Sequence, residues 1–211
     1  MAGVDEVGVG ALAGPVIAAA VILAPITMIG GVADSKVLSP KRRQALFAVI
    51  SEAAIAVGIG VAEVEEVDRI NVYWAGMEAR RRAVEDLTVV PAHVLVDGKR
   101  RILGCGLAQT PVVEGDARSV SIAAASIVAK VTRDELMTGY ARLYPGYGFE
   151  RHKGYATAAH LAALSRLGPL PLHRRSCAPV RSAGGLEQQL QFWSDLQQKG
   201  QQAGEGDRFF R

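Results

Sequence analysis

The strongest constraint on the fold is an apolar segment near the start of the chain. Val16–Leu23 reads VIAAAVIL and contains no polar or charged side chain. A strand with one face in water alternates apolar and polar residues, whereas a strand covered on both faces does not. The apolar run around it, residues 11–24, is interrupted by Gly14 and Pro15 and is too short to span a bilayer. The segment therefore predicts an inner strand with helices on both faces of its sheet.

The remaining segments give the order of strands and helices. Further strands are predicted from short apolar runs bounded by turn residues, at residues 4–7, 55–62, 94–97 and 109–113. Helices are predicted at residues 39–52, 63–86, 119–143 and 157–167. Ser39 and Pro40 suit the N-cap and first turn of the first helix, and the second is expected to break near Asn71. Three strands followed by alternating helices and strands favour an α/β domain, a mixed sheet flanked by helices.

The length and composition bound the domain organisation. The chain has 211 residues, of which 49% are hydrophobic and 21% charged, as in a globular protein with one sizeable core. We assign residues 1–181 to one domain that ends in a helical region. Residues 182–211 are assigned to a tail rich in Gly, Gln and charge, with an amphipathic helix before a frayed end.

The two cysteines argue against two kinds of site. Cys105 and Cys177 are far apart and neither has a C-x-x-C partner, so they indicate neither a zinc site nor a disulfide framework. Their number fits a reducing compartment, and the chain does not open with the basic segment of a signal peptide. We expect a cytoplasmic, monomeric protein that does not bind membranes.

Basic residues are clustered although the formal net charge is only +3. Five short clusters occur, at residues 41–43, 80–82, 99–101, 151–153 and 173–175. Such clusters are typical of a protein surface that binds phosphates, but they equally describe an ordinary solvated surface.

Four carboxylates occupy positions where burial of a charged group is energetically unfavourable. Asp5 and Glu6 lie in the first strand, Asp97 ends another strand, and Asp116 precedes the long helix. Burying an acid in or beside an apolar strand is unfavourable unless the acid is paired or binds a cation. Each acid alone is explained as a surface or capping residue. The four together predict a site for hard cations such as Mg²⁺, two of which could stabilise the attacking and leaving oxygens of phosphodiester hydrolysis.

The adjacent pair raises a geometric difficulty. Neighbouring residues of a strand point to opposite faces, so Asp5 and Glu6 cannot both aim their side chains in one direction. Either Glu6 reaches round the end of the strand, or its backbone carbonyl also serves as a ligand.

The segments around these acids resemble those of the ribonuclease HII family over residues 2 to 181. The resemblance rests on the sequences of the matching blocks and on their order, and the block SIAAASIVAKVTRD is its most specific part. The matching blocks are GVDEVG at 3–8, LAGPV at 12–16, DSK at 34–36, IN at 70–71, VDG at 96–98, GD at 115–116, SIAAASIVAKVTRD at 121–134, HKGY at 152–155 and HRRS at 173–176.

The resemblance implies a fold, an activity and a set of acids. The fold is ribonuclease H-like, and the family hydrolyses the RNA strand of RNA–DNA hybrids and incises at single ribonucleotides in duplex DNA. It uses Mg²⁺ or Mn²⁺ and leaves 3′-hydroxyl and 5′-phosphate ends. The implied metal-binding catalytic acids are Asp5, Glu6, Asp97 and Asp116. Asp134 is an accessory candidate, or else an exposed helical acid that pairs with Arg133 or Lys130.

The resemblance also implies residues that bind the substrate. Lys36 would contact a backbone phosphate near the cut, and Tyr155 would stack on the sugar beside the ribonucleotide. The turn Gly8-Val9-Gly10 would sense the 2′-hydroxyl through its backbone. The family usually has arginine at the position of Val9, so affinity or the preference for a DNA–RNA–DNA junction is expected to differ here.

Other interpretations remain open. A different nuclease with the same fold would cut DNA that lacks ribonucleotides. A catalytically inactive protein that only binds nucleic acid would not need all four acids. A nucleotide-binding loop built on Gly8, Gly10 and Gly14 is disfavoured because this run lies between two predicted strands. The related ribonuclease HIII carries an extra N-terminal domain, for which residues 1–4 leave no room. In the tail, residues 189–193 faintly resemble a sliding-clamp-binding peptide, although a helix that docks on the domain explains them too.

Overall fold

The structure, a computed structural model, describes residues 1–24, 29–30 and 38–183. The strands are β1 Ala2–Val7, β2 Val16–Leu23, β3 Ala54–Ala62, β4 Val94–Asp97 and β5 Gln109–Val112. The helices are α1 Pro40–Ala53, α2 Val64–Glu85, α3 Gly115–Arg118, α4 Val120–Leu143, α5 Phe149–His152, α6 Ala158–Leu167 and α7 Ala178–Ala183. Lys36 and the tail beyond residue 183 lie outside the described residues.

The strands form one mixed sheet in the order β3-β2-β1-β4-β5. The first three form an antiparallel meander, and β4 and β5 continue from β1 in parallel. The predicted mixed sheet is confirmed, and so is the coverage of β2 on both faces. Ala18 and Ala20 pack in one apolar cluster with α2, while Ala19 and Val21 pack in another with α1 and α4.

Local signals in the sequence place the helix boundaries. The Ser39 hydroxyl accepts a hydrogen bond from the Arg42 N–H, which caps α1 as predicted. The predicted break in α2 is at Asn71, where φ is 65° and the side-chain Oδ1 accepts from the Tyr73 N–H at 3.0 Å. A positive φ with a ψ of 163° is rare for a residue other than glycine, and here the contacts of Oδ1 with the Tyr73 and Trp74 N–H groups stabilise the turn.

The basic clusters are not a continuous surface stripe. Several of their members are buried, namely Arg43, Arg80, His152, His173 and Arg174. A buried cation or imidazole must find partners inside the protein, so these residues organise the fold and the site instead of facing solvent. None of the helices in the described part of the chain combines the length and apolarity that a membrane crossing requires.

Candidate active site

A cavity of about 300 Å³ opens where β1 ends beside β4. Its wall is formed by Asp5, Glu6, Val7, Gly8, Val9, Gly10, Asp97, Ser126, Lys130 and Tyr155. Val4 of β1 pairs with Val96 of β4 in parallel register, so the following residues, Asp5 and Asp97, meet at the same edge of the sheet. The topology thus brings together acids that are 92 positions apart in the sequence (97 − 5).

Asp5 is the most deeply buried of the cavity's acids, with 6% of its surface exposed. Burial, together with the nearby carboxylates of Glu6 and Asp97, raises the pKa of its carboxyl to about 7. Hydrogen bonds with the Ser126 hydroxyl and with the Glu6 N–H, which donates to Asp5 Oδ1 at 2.8 Å, lower the pKa of Asp5. Such crowding of acids is relieved by a bound cation, which favours the charged form of each.

Glu6 faces the other side of the sheet, as strand alternation requires. Asp5 points towards Ser126 on α4, whereas the Glu6 carboxylate forms an ion pair with Arg80 on α2. The side chains of Glu6 and Arg80 are 20% and 9% exposed. Glu6 nevertheless remains part of the cavity wall.

Asp97 and Asp116 are linked through one backbone group. Asp97 Oδ1 accepts a hydrogen bond from the Gly115 N–H at 2.8 Å, at the first residue of α3. Asp116 follows directly and is 8% exposed. The short helix α3 therefore places Asp116 near the end of β4, where Asp97 lies.

The donor chemistry of the site fits a hard divalent cation. Within residues 1–24, 29–30 and 38–183, no three His, Cys, Asp or Glu side chains stand close enough to hold a metal ion in their present positions. The reason is visible in the contacts, since Glu6 is turned to Arg80 and Asp97 to Gly115. The acids are oxygen donors only, crowded and partly buried, which suits Mg²⁺ or Mn²⁺. A cation bound by Glu6 would share its carboxylate with the Arg80 guanidinium.

Two buried arginines support the turn at residues 8–10. Arg174 donates from Nη1 to the Val9 carbonyl and from Nε to the Gly14 carbonyl, both at 3.0 Å. Arg133 donates to the Pro15 and Ala13 carbonyls at 2.9 Å. Burial lowers the pKa of both guanidiniums, that of Arg174 to about 10, so Arg174 stays charged at neutral pH. No pattern in the sequence distinguished these two arginines from surface ones.

Tyr155 lies against the same cavity. It is half-buried, with the Arg133 guanidinium 5.3 Å and the Lys130 ammonium 5.6 Å from its ring centre. Its carbonyl is 2.9 Å from His160 Nδ1, which anchors the backbone on α6. The ring is therefore held by cations on one side and remains at the edge of the acid cavity.

Asp134 has a different setting from the four acids. Its carboxylate is 2.7 Å from the Lys130 ammonium and 3.9 Å from the Arg43 guanidinium. It lines a neighbouring cavity of about 390 Å³ and meets the acid cavity only through Lys130, which borders both. The pairing with Lys130 foreseen from the sequence is present.

A mixed sheet with carboxylates converging at the ends of β1 and β4 defines a metal-dependent nuclease of the ribonuclease H-like class. The model of the ribonuclease HII family matches residues 2–180. The chain is 54% identical to ribonuclease HII of Geobacter sulfurreducens, over 86% of this chain and 83% of that protein. It is 55% identical to ribonuclease HII of Maricaulis maris, over 87% and 84%. The chain belongs to the ribonuclease HII family. It is a divalent-metal-dependent endoribonuclease that binds RNA–DNA hybrids and degrades their RNA.

Solved structures agree on the fold. Ribonuclease H2 from Pyrococcus horikoshii is 26% identical, with a TM-score of 0.71 over 86% of this chain and 95% of that one. RNase HII from Archaeoglobus fulgidus, in a complex with PCNA, is 23% identical, with a TM-score of 0.72 over 88% and 98%. Bst-RNase HIII, in complex with Mn²⁺, is 23% identical, with a TM-score of 0.67 over 86% and 68%.

Proposed function

We propose that this endoribonuclease also incises at single ribonucleotides embedded in duplex DNA and leaves 3′-hydroxyl and 5′-phosphate ends. The observation that carries the proposal is the composition of one cavity wall. The acids Asp5, Glu6 and Asp97 share that wall with the turn at residues 8–10 and with Tyr155. A hydrolytic centre thus adjoins groups suited to reading one sugar, which a nuclease acting on a lone ribonucleotide needs.

The proposed metal ligands are Asp5, Glu6, Asp97 and Asp116. Two divalent ions bound by these carboxylates, Mg²⁺ or Mn²⁺, would stabilise the attacking and leaving oxygens of the phosphodiester. The chain's own contribution is positional. The β1–β4 register sets Asp5 beside Asp97, and the hydrogen bond from Gly115 ties α3, which carries Asp116, to Asp97.

Discrimination of RNA from DNA is assigned to Tyr155 and the turn. The ring is held at the cavity edge by the contacts to Arg133 and Lys130, so it can stack on a sugar with little loss of conformational entropy. The Val9 carbonyl accepts from Arg174, which holds the turn in one conformation. A rigid turn is required if backbone groups are to sense a 2′-hydroxyl.

Phosphate binding is assigned to Lys36 on the family resemblance alone, since that residue lies outside the described part of the chain. Lys130 is a second cation, and its ammonium stands between the acid cavity and Asp134. The charge of Lys130 offsets the negative charge of the cavity acids on one side and of Asp134 on the other. Asp134 therefore acts on the site by positioning Lys130.

The test compares three duplexes of one sequence, carrying one ribonucleotide, a full RNA strand, or DNA only. Each is incubated with Mg²⁺, with Mn²⁺ or with chelator, beside the variant Asp97→Asn. We expect cleavage of the first two with metal, ligatable 3′-hydroxyl ends, and loss of at least a hundredfold in rate in the variant. Cleavage in chelator would refute the metal mechanism, and equal cleavage of DNA would refute the substrate assignment.

A sliding clamp is the proposed protein partner, contacted through residues 189–193. The support is the sequence of that tail segment, together with the PCNA complex of the Archaeoglobus fulgidus protein. The full chain and a chain ending at residue 181 are compared in clamp pull-downs and by light scattering. Retention of the full chain only is expected, with both proteins monomeric. Equal retention would remove this assignment.

A further inference from the structure

Arg80 is an unusual residue for the face of α2 that packs on the sheet. Its neighbours on that face are Gly76, Met77, Ala83 and Val84, all buried. An arginine in such a stripe loses most of its hydration, which is unfavourable unless an acid compensates. The compensating acid is Glu6, whose Oε2 is contacted by both Nε and Nη2 of Arg80.

The next two arginines of the helix behave differently. Arg81 pairs with Glu78 and Glu85, and Arg82 pairs with Glu66, all acids of α2 itself. Arg82 also donates to the Val61 carbonyl of β3, but of these three arginines only Arg80 pairs with an acid of the cavity wall. Its role is therefore specific to Glu6 and is not part of the general charge balance of α2.

Both guanidinium contacts are to Glu6 Oε2, so a divalent cation bound by Glu6 would share one carboxylate with Arg80. The two cations would repel each other at that distance in a partly buried site, and each would weaken the binding of the other. A cavity of about 90 Å³ lies between Glu6, Arg80, Gly76 and the half-exposed Val9, next to the ion pair.

We infer that Arg80 is a positioning residue of the metal site, which holds the Glu6 carboxylate and competes with the divalent cation for it. Metal affinity is thereby kept lower than the four acids would otherwise confer. Arg80 and Val9 line the same small cavity, so a guanidinium released by Glu6 would stay next to the turn at residues 8–10. The inference rests on the proposed role of Glu6 as a metal ligand.

The test is a calorimetric Mn²⁺ titration of the full chain at pH 8. Arg80→Gln removes the charge and keeps a hydrogen-bond donor, Arg80→Lys keeps the charge, and Arg81→Gln is the matched control one residue along α2. We expect Arg80→Gln to bind Mn²⁺ about five- to tenfold more tightly, because the competing cation is gone. Arg80→Lys and Arg81→Gln should stay within about twofold of the parent protein.

A merely structural role for Arg80 predicts the opposite sign. If the residue only supports the fold, Arg80→Gln weakens Mn²⁺ binding or leaves it unchanged, and either result overturns the inference. Circular dichroism checks folding, and Arg80→Met, which suits the apolar stripe, replaces the glutamine variant if that one is unfolded. Glu6→Gln separates the two proposals. If Glu6→Gln leaves the Mn²⁺ affinity unchanged, Glu6 is not a ligand, and both the site assignment and the inference fail. If Glu6→Gln weakens Mn²⁺ binding while Arg80→Gln leaves it unchanged, only the inference is refuted.

Discussion

The Gly115 N–H donates a 2.8 Å hydrogen bond to Asp97 Oδ1, joining the end of β4 to the start of α3. The contact leaves no space for a side chain at Gly115. An added Cβ would lie 3.1 Å from Asp97 Oδ1 and 2.6 Å from Ile122 Cδ1. The position of the acids thus depends on a residue that is not itself an acid.

Gly115→Ala is expected to damage both stability and catalysis. Displacement of Ile122 and Asp97 should lower the free energy of unfolding by about 1–3 kcal/mol, measured by urea titration. The rate of hybrid cleavage should fall at least tenfold, since a small displacement of a catalytic group is costly. Gly139→Ala is the control, because nothing lies within 4 Å of an added Cβ there and alanine favours a helix. Equal activity in the two variants would contradict this account.

Asp5→Asn should make the protein more stable and inactive. Because the pKa of Asp5 is raised to about 7, above its unfolded value, ionisation of this group costs stability as pH rises towards and past 7. At pH 8 with chelator, the neutral amide should raise the free energy of unfolding by on the order of 2–4 kcal/mol. The gain should vanish below about pH 3, where the carboxyl is protonated in both states. A variant that is less stable than the parent at pH 8 would contradict the prediction.

Acid should weaken the fold through the buried histidines. His160 Nε2 and His173 Nε2 are 3.1 Å apart, and burial lowers the pKa of both, that of His173 to about 3. His173 therefore stays neutral in the folded protein down to about pH 3, whereas in the unfolded chain it binds a proton below about pH 6.5. Its contribution to stability is fully present above pH 6.5 and declines as pH falls towards 3, by up to about 1.4 kcal/mol per pH unit. The lowered pKa of His160 acts in the same direction.

Asp5 has the opposite pH dependence over much of this range, so its contribution is first removed with the variant Asp5→Asn. The free energy of unfolding of this variant is then measured by urea titration at several pH values between 8 and 5. Adding His173→Gln should reduce the slope of unfolding free energy against pH. An unchanged slope would show that His173 does not remain neutral in the folded state.

Arg174→Lys tests the support of the turn. Arg174 is 1% exposed and donates to two carbonyls of the loop that follows β1, those of Val9 and Gly14. Lysine keeps the charge but cannot make the same divergent contacts, so we expect a loss of about 2–4 kcal/mol in unfolding free energy. KM for the single-ribonucleotide duplex should rise more than kcat falls. The exposed neighbour provides the control Arg175→Lys, expected to change stability by less than about 0.5 kcal/mol.

Val9→Arg tests whether a cation in the turn at residues 8–10 contributes to substrate binding. Val9 is 40% exposed at the mouth of the acid cavity, so an arginine there is accommodated and gains phosphate contacts. We expect tighter binding of the substrate or a sharper preference for the DNA–RNA–DNA junction, in competition assays at fixed salt. Val90→Arg adds the same charge at an exposed position outside that cavity wall. If both variants bind alike, the gain reflects net charge and the position has no special role.

Much of the architecture was predictable because its signals are local. The uninterrupted apolar character of β2 required covered faces, and α2 and α4 supply them. Ser39 and Asn71 act on backbone groups two or three residues away, so their effects on α1 and α2 were readable in the chain. The acids were recognised for a similar reason, since a carboxylate in an apolar strand is anomalous wherever the strand packs.

What the sequence by itself determined was the set of parts, namely the strands, the caps, the four acids and the family to which they belong. Only the tertiary structure decided their partners. Whether Arg80 faces solvent like Arg81 or pairs with Glu6 depends on how α2 is rotated against β1, a relation between segments 74 residues apart. The same holds for Arg174 and the turn at Val9, which are 165 residues apart. Hydrogen bonds and ion pairs act over a few ångströms, so their energies are set by packing and not by distance along the chain.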